Sequence, residues 1–269
     1  MSTEAPPTRP RERTERGSEI ARLTKEVLRE GRRDRVAVEE PLEIRCGGHA
    51  VAVTMRTPGA DEELALGFLY SEGLIAGPRT VGPSADLAAN VVCVAGPPLQ
   101  MPAQRRFFTS SSCGVCGKGA LEDVTRRAPP LAPGPRLARS LLAGLPEALA
   151  QPGFARTGGL HATALFDARG RLLSLREDVG RHNAMDKVIG LALREGALPL
   201  RSRILCVTGR LSYELVQKAA LAGAPILVGI GAASSLAIEL AAEVNMTLAG
   251  FARRGRINIY TAPERVDQA

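Results

Sequence analysis

The sequence predicts an α/β fold, α+β overall, in which a β-rich N-terminal subdomain precedes an α/β core. The first half contains short stretches with β-branched residues, which predict strands. In residues 50–56, side chains alternate between the two faces of a strand, so that Val51, Val53 and Met55 lie on the same face. In the second half, apolar strands alternate with helical segments, which indicates crossover connections and a mostly parallel sheet covered on both faces. A hydrophobic content of 45% in 269 residues is ample for a buried core.

The first half begins with a polar arm. Residues 1–35 mix arginine and glutamate with few large apolar residues, which predicts disorder. Gly47 and Gly48 separate two strand-like stretches and predict the turn of a β-hairpin. Acidic residues 61–63 suit the first turn of a helix. The elements predicted for the β-rich subdomain, residues 36–130, are strands 36–38, 42–45, 50–56, 90–95 and 106–109, and helices 61–69 and 118–127.

The second half forms the predicted α/β subdomain, residues 136–266. Four prolines within residues 128–135 mark the boundary that precedes it. A turn at residues 167–170 predicts a second hairpin. Its predicted elements are strands 159–166, 172–176, 203–208, 225–230 and 256–260, and helices 178–194, 212–222 and 234–248.

Composition excludes several classes of protein. Aromatic residues make up 3% of the chain and tryptophan is absent, which argues against a surface that stacks nucleic-acid bases. No apolar run approaches the roughly 20 residues of a membrane span. The N-terminus lacks a signal-like apolar segment, and the five cysteines are irregularly spaced, which together predict a reducing, cytoplasmic setting. The net charge of +7 favours anionic partners only weakly.

The most informative motif is a C-x-x-C at Cys113 and Cys116. Glycine follows each cysteine and three serines precede the first, which predicts an exposed loop. A structural zinc site needs four ligands, and the chain has neither a second C-x-x-C nor paired histidines. We therefore expect no metal ligands here. The thiolate is the reactive form of cysteine, and a cation such as Lys118 lowers a thiol pKa from about 8.5.

Two enzyme classes that use C-x-x-C fit poorly. A zinc nucleobase deaminase needs H-x-E followed by P-C-x-x-C, but His161 is followed by Ala162 and Thr163, and Ser112 precedes Cys113. A thioredoxin-like oxidoreductase places the motif at a helix start after a strand, usually near an aromatic residue or proline, and the surrounding serines and glycines do not resemble that. A mobile loop is better suited to carrying sulfur between two proteins.

A second signal lies at two strand-to-helix turns, residues 208–212 and 229–235. Each combines glycine, a hydroxyl N-cap and backbone N–H groups at the carboxyl edge of the predicted sheet, where anions and nucleotides bind in such folds. Arg210 adds a cation. Ser234 occupies the third glycine position of G-x-G-x-x-G, so the dinucleotide motif is incomplete. On the loops alone, ordinary βα turns and a phosphate site remain about equally plausible.

Arginine and histidine residues elsewhere in the chain are further candidates for a binding site. Residues 251–256 carry three arginines beside Phe251, and guanidinium groups suit phosphate oxygens, although such clusters are usually solvated turns. His49 falls in a predicted turn. His161 lies in a glycine-bearing stretch, and His182 lies in the most densely polar helix start of the chain. The other polar residues of that helix start are Asp178, Arg181, Asn183, Asp186 and Lys187.

Many motifs in the same order resemble the FdhD (NarQ) family of formate dehydrogenase accessory sulfurtransferases. The resemblance runs from about Val36 to Val266 and leaves out the proline-rich stretch and the arm. Its motifs are residues 40–44, 61–69, 113–117, 177–183, 186–187, 208–210, 251–253 and 258–260.

The resemblance implies a function. A cysteine desulfurase would supply sulfur as a persulfide on Cys113, with Cys116 assisting. The sulfur would pass to the molybdenum or tungsten bis(molybdopterin guanine dinucleotide) cofactor, held as a substrate with no permanent cofactor, before the cofactor enters the apo formate dehydrogenase catalytic subunit. The family also implies a homodimer and a cytidine-deaminase-like three-layer α/β/α core. A non-catalytic cofactor chaperone is the alternative. The implied cofactor contacts are Phe251, Ala252, Arg253, Arg254, Gly255 and Arg256.

Overall fold

A computed structural model describes residues 22–84, 89–100, 108–109 and 128–267. The strands are β1 (Thr24–Arg29), β2 (Arg32–Ala37), β3 (Glu40–Cys46), β4 (His49–Arg56), β5 (Val81–Pro83), β6 (Val91–Val94), β7 (Phe108–Thr109), β8 (Leu137–Ala138), β9 (His161–Asp167), β10 (Leu172–Asp178), β11 (Arg203–Val207), β12 (Ile226–Gly229), β13 (Thr247–Arg253), β14 (Arg256–Ile259) and β15 (Val266–Asp267). The helices are α1 (Asp61–Ser71), α2 (Arg139–Gly144), α3 (Pro152–Thr157), α4 (Arg181–Arg194), α5 (Tyr213–Leu221) and α6 (Ser235–Glu243), with 3₁₀ turns at Leu145–Ala148 and Pro263–Arg265.

A six-stranded sheet forms the core of the second half, in the order β10-β9-β11-β12-β13-β14. The sheet is mixed, so the expectation of a mostly parallel sheet is wrong. Strands β11, β12 and β13 are mutually parallel because α5 and α6 cross over between them. The hairpins β9–β10 and β13–β14, together with the β9–β11 pairing, are antiparallel.

Helices cover both faces of this sheet, which confirms the mixed α/β fold and its three-layer arrangement. Leu165, Leu205 and Leu227 face α4, α5 and α6. Their even-numbered neighbours Phe166 and Cys206 face α2 and the 3₁₀ turn that follows it. Alternate residues of each strand point to opposite faces, and both faces are apolar, as expected for a sheet buried on both sides.

The N-terminal sheet has the order β5-β6-β3-β4-β7 and packs on α1. The predicted hairpin is confirmed: Gly47 and Gly48, with φ of 57° and 85°, connect β3 and β4. Such φ values suit glycine, which has no Cβ to clash. Helix α1 packs directly against α4, so the two halves share a helix–helix contact. The assignment of domain boundaries stays a prediction.

The polar arm is partly structured, which corrects the expectation of disorder over residues 1–35. Strands β1 and β2 form an antiparallel hairpin whose turn, Glu30 and Gly31, has φ of 51° and 77°. Its side chains are largely exposed, and Arg29 pairs with Asp34 at 3.0 Å. A two-stranded ribbon that is exposed on both faces has no apolar stripe. Its composition is therefore like that of a disordered segment. Residues 1–21 lie outside the described residues.

Two predicted helices have different limits. The segment 178–194 becomes helical only at Arg181, because Asp178 is the last residue of β10. The segment 234–248 is helical only to Glu243, and β13 begins at Thr247. Asn245, with φ of 57°, turns the chain between the two. The predicted helix 118–127 lies outside the described residues.

Candidate functional site

The predicted sulfur-carrying cysteines, Cys113 and Cys116, lie outside the described residues. The structure describes one segment of the chain that leads toward them. Strand β7 pairs in parallel with β4, with Phe108 opposite Val53 and Thr109 opposite Thr54. Thr109, the last described residue before Cys113, therefore lies at the edge of the N-terminal sheet.

Three other cysteines are described, and all are free thiols. Cys206 is fully buried in β11, and burial, aided by the negative charge of Glu147, raises its pKa to about 12. Burial also raises the pKa of Cys46, whose Sγ donates to the Gly96 carbonyl oxygen at 3.3 Å. Thiols with raised pKa values hold little thiolate near neutral pH and are poor nucleophiles. Cys93 is partly buried in β6.

The carboxyl ends of β11, β12 and β13 lie side by side at one edge of the six-stranded sheet. The backbone N–H of Gly231 donates to the Gly209 oxygen at 3.3 Å, and that of Phe251 donates to the Gly231 oxygen at 3.1 Å. A Cβ on Gly231 would lie 2.8 Å from the Gly209 oxygen, and one on Gly250 would lie 2.9 Å from the Gly231 oxygen. These glycines therefore let the turns stack closely. The sequence predicted glycine-containing turns at residues 208–212 and 229–235.

The predicted cofactor contacts form the β13–β14 hairpin at this same edge. Phe251 is 48% exposed, whereas Ala252 is fully buried and presents no accessible surface. Phe251 and Arg254, with φ of 53° and 50°, adopt the left-handed region, and the Arg254 N–H donates to Glu147 Oε1 at 2.9 Å. The three arginines of the hairpin are exposed: Arg253, Arg254 and Arg256. Their role in binding stays a prediction.

The polar start of α4 divides into a buried part and a part at the sheet edge. Asp178 is fully buried and binds Lys187 Nζ at 2.7 Å through Oδ2. The same Oδ2 accepts from the Thr57 N–H at 3.1 Å, and Oδ1 accepts from the Gly180 N–H at 2.8 Å and from Asn183 Nδ2 at 3.1 Å. These residues hold the start of α4 against the β4–α1 connection. They therefore have a structural role and do not line the edge of the six-stranded sheet.

Asp186 is also structural. Its carboxylate binds Lys218 Nζ at 2.9 Å and accepts from Ser71 Oγ at 3.0 Å. Burial raises the pKa of Asp186, and the adjacent Lys218 ammonium opposes that rise. This ion pair connects α4 to α5 and α1. Together with the Asp178–Lys187 pair, it gives both residues of the Asp186–Lys187 motif a structural role.

The two histidines of the polar stretches lie at the sheet edge. His161 begins β9 opposite Asp178, and its pKa is lowered first by burial and then by the positive charge of Arg181, against the opposing charge of Asp178. His182 Nε2 lies 3.5 Å from Ser212 Oγ and 3.9 Å from Glu214 Oε2. Sequence reasoning missed Ser212 and Glu214 as neighbours of His182, because the residues are about 30 positions apart in the chain.

Two global features complete the description. No helix among the described residues has both the length and the apolar character needed to cross a membrane. Within the same ranges, no group of at least three His, Cys, Asp or Glu side chains is arranged to hold a metal ion.

Known proteins are similar to this chain in sequence. The model of the FdhD/NarQ family matches residues 37–267. The Sulfur carrier protein FdhD of Mycolicibacterium paratuberculosis is 49% identical over 253 residues, covering 87% of this chain and 93% of the relative. The protein of the same name from Streptomyces avermitilis is 46% identical over 264 residues, covering 87% and 90%.

A solved structure is similar as well. The crystal structure of a candidate formate dehydrogenase accessory protein from Desulfotalea psychrophila aligns with a TM-score of 0.69 and 28% identity. The alignment covers 91% of this chain and 97% of that protein. Because the family model spans the sheet edge, the arginine hairpin and the C-x-x-C motif, the chain belongs to the FdhD/NarQ family.

Proposed function

We propose that this chain is a sulfur carrier that accepts a persulfide from a cysteine desulfurase and passes the sulfur to the molybdenum or tungsten bis(molybdopterin guanine dinucleotide) cofactor. The cofactor is its substrate, and formate dehydrogenase is the final recipient. The observation that supports this most is the C-x-x-C pair Cys113 and Cys116 in a chain 46–49% identical to sulfur carrier proteins. Two of the described cysteines, Cys46 and Cys206, have raised pKa values and are poor alternatives.

Sulfur acceptance is a thiol–persulfide exchange. The Cys113 thiolate attacks the terminal sulfur of the desulfurase persulfide, forming a new S–S bond on Cys113 while the donor S–S bond breaks. The donor cysteine leaves as a thiolate, so no external oxidant or reductant is needed. Lys118, five residues along the chain, supplies a positive charge that favours the thiolate form of Cys113.

Sulfur delivery uses the second cysteine. The Cys116 thiolate attacks the inner sulfur of the Cys113 persulfide and forms a Cys113–Cys116 disulfide. The outer sulfur leaves with the electron pair as sulfide, which the substrate receives. Counted as two thiols and one sulfane sulfur, the two cysteines lose the two electrons that reduce the transferred sulfur to sulfide. A cellular dithiol then restores the loop.

The arginine hairpin is the proposed binding site for the guanine dinucleotide part of the substrate. Arg253, Arg254 and Arg256 are exposed on one short turn beside the exposed ring of Phe251. Guanidinium groups pair with phosphate oxygens in bidentate fashion, and a ring or a guanidinium plane stacks on a purine. The stacked glycine turns of β11 and β12 add backbone groups at the same edge.

A non-catalytic chaperone that only escorts the cofactor is the second candidate, because the exposed hairpin alone suffices for binding. Cys113→Ala separates the two functions. A sulfur carrier loses formate dehydrogenase activation while its GDP affinity is unchanged, whereas a chaperone keeps both. Loss of both together would indicate a structural or metal-binding loop, which metal analysis of the purified protein identifies. The family resemblance also leads us to propose a homodimer, which sedimentation equilibrium measures.

A further inference from the structure

Arg181 is a half-buried cation with unmet hydrogen-bonding capacity. It is the first residue of α4, at the carboxyl edge of the six-stranded sheet. Its Nε atom is buried and has no hydrogen-bond partner among the residues that the structure describes. A buried guanidinium N–H without an acceptor is costly, so natural proteins rarely keep one unless it meets a ligand, an ion or water.

The carboxylate of Asp178, which lies near Arg181 and His161, is already paired with other groups. Asp178 binds the buried Lys187 ammonium at 2.7 Å and accepts three further hydrogen bonds, from the Thr57 and Gly180 N–H groups and from Asn183. Its carboxylate is therefore saturated with donors. The charge of Arg181 remains available to an anion that arrives from solution.

The side chains of Arg181 and His161 pack closely against the glycine of the β11–α5 turn. A Cβ placed on Gly209 would lie 3.3 Å from Arg181 Cδ and 3.5 Å from His161 Nδ1. Gly209 thus brings the backbone of the β11–α5 turn against both side chains. Burial and the Arg181 charge lower the pKa of His161 and so favour the neutral imidazole, which donates one hydrogen bond.

We propose that Arg181, flanked by His161 and the backbone of Gly209, is a second oxyanion-binding position at this edge and takes a phosphate group of the dinucleotide substrate. The identity of that substrate rests on the proposed function. Gly209 follows β11 and Phe251 lies near the end of β13, and these strands are two positions apart in the sheet, roughly 10 Å at the usual strand spacing. Two anion positions at that separation suit a substrate with more than one charged group.

The pKa of His161 reports directly on this position. An anion bound to Arg181 cancels the positive charge that disfavours imidazolium, so the pKa of His161 rises. The chain has three histidines, and His161→Gln assigns the resonance by its loss. We expect NMR titration to give a higher His161 pKa in sulfate, whose charge is constant across this range, than in chloride of equal ionic strength. An unchanged pKa of His161 with sulfate or GDP bound overturns the proposal. This test needs no variant of Arg181.

Affinity provides the second test. Arg181→Gln is expected to weaken GDP binding about tenfold by calorimetry, as removal of a charge-assisted hydrogen bond does, and to abolish the effect of sulfate on His161. Arg201→Gln is the matched control, because Arg201 is exposed at the opposite edge of the sheet, just before β11. GDP affinity equal to wild type in a folded Arg181→Gln protein overturns the assignment. Persulfide loading of Cys113 is measured separately, so failure here is distinct from failure of the sulfur-carrier function.

Discussion

Gly67 of α1 and Gly190 of α4 face one another where the two helices cross. A Cβ on Gly67 would overlap the carbonyl oxygen of Asp186, and one on Gly190 would overlap the carbonyl oxygen of Glu63. The backbones of the two helices are therefore in direct contact. This crossing joins the N-terminal sheet, which packs on α1, to the α/β core that carries the sheet edge.

Alanine at either glycine should destabilise the protein by about 1–3 kcal/mol, because the added methyl group forces the helices apart. Chemical denaturation of Gly67→Ala and Gly190→Ala measures the free energy of unfolding. Gly144→Ala is the control, since a Cβ there meets no atom within 4 Å. Equal stability of all three variants would show that the helices do not cross this closely.

Asp178→Asn should cost about 3–5 kcal/mol of folding free energy, because it leaves the buried Lys187 ammonium without its counter-charge. The double variant Asp178→Asn/Lys187→Met should recover part of the loss, since it removes the unpaired charge. Asp34→Asn is the matched control: its partner Arg29 is exposed, and such pairs contribute about 1 kcal/mol or less. A small effect of Asp178→Asn, similar to that of Asp34→Asn, would contradict the structural part assigned to the buried pair.

Combined replacement of Arg253, Arg254 and Arg256 by alanine should weaken GDP binding tenfold or more, because charge-assisted contacts to phosphate are lost. Isothermal calorimetry checks the affinity. The triple variant Arg32→Ala/Arg33→Ala/Arg35→Ala removes the same charge from the exposed β1–β2 hairpin and should bind GDP like wild type. Equal weakening in both triple variants would mean that net charge, and not the hairpin, governs binding.

Alkylation of the native protein near pH 8 should spare Cys206 and Cys46. Burial raises the pKa of both thiols, that of Cys206 to about 12, so neither forms much thiolate at that pH. Peptide mass mapping after iodoacetamide treatment measures the modified positions. All five cysteines should react once the chain is denatured. Rapid native labelling of Cys206 would show that β11 is less well packed than the structure indicates.

Local signals in the sequence were sufficient for parts of this fold. The Gly47–Gly48 turn and the two βα turns were predicted because glycine is required where φ is positive or backbones touch. Strand β13 was missed because its apolar residues continue the pattern of α6. Asn245 carried a signal for that break, since asparagine tolerates the left-handed region.

The polar start of α4 shows why the site was only partly predictable. Asp178 and Lys187 belong to one dense motif with His182, but both also bind Thr57 of the β4–α1 connection, which lies 121 positions away from Asp178. Only the folded chain separates the buried polar residues from those at the edge. The unmet capacity of Arg181 is likewise invisible in sequence, because it depends on which neighbours its guanidinium fails to reach.

Persulfide loading of Cys113 tests the central claim most directly. The protein is incubated with a cysteine desulfurase and cysteine, and the peptide that contains Cys113 is then analysed by mass spectrometry. We expect this peptide to gain the mass of one sulfur atom, reversibly with a dithiol. The gain should persist in Cys116→Ala and disappear in Cys113→Ala. No gain on Cys113, from a protein that binds GDP and a desulfurase that is active, would contradict the sulfur-carrier function and favour the cofactor chaperone.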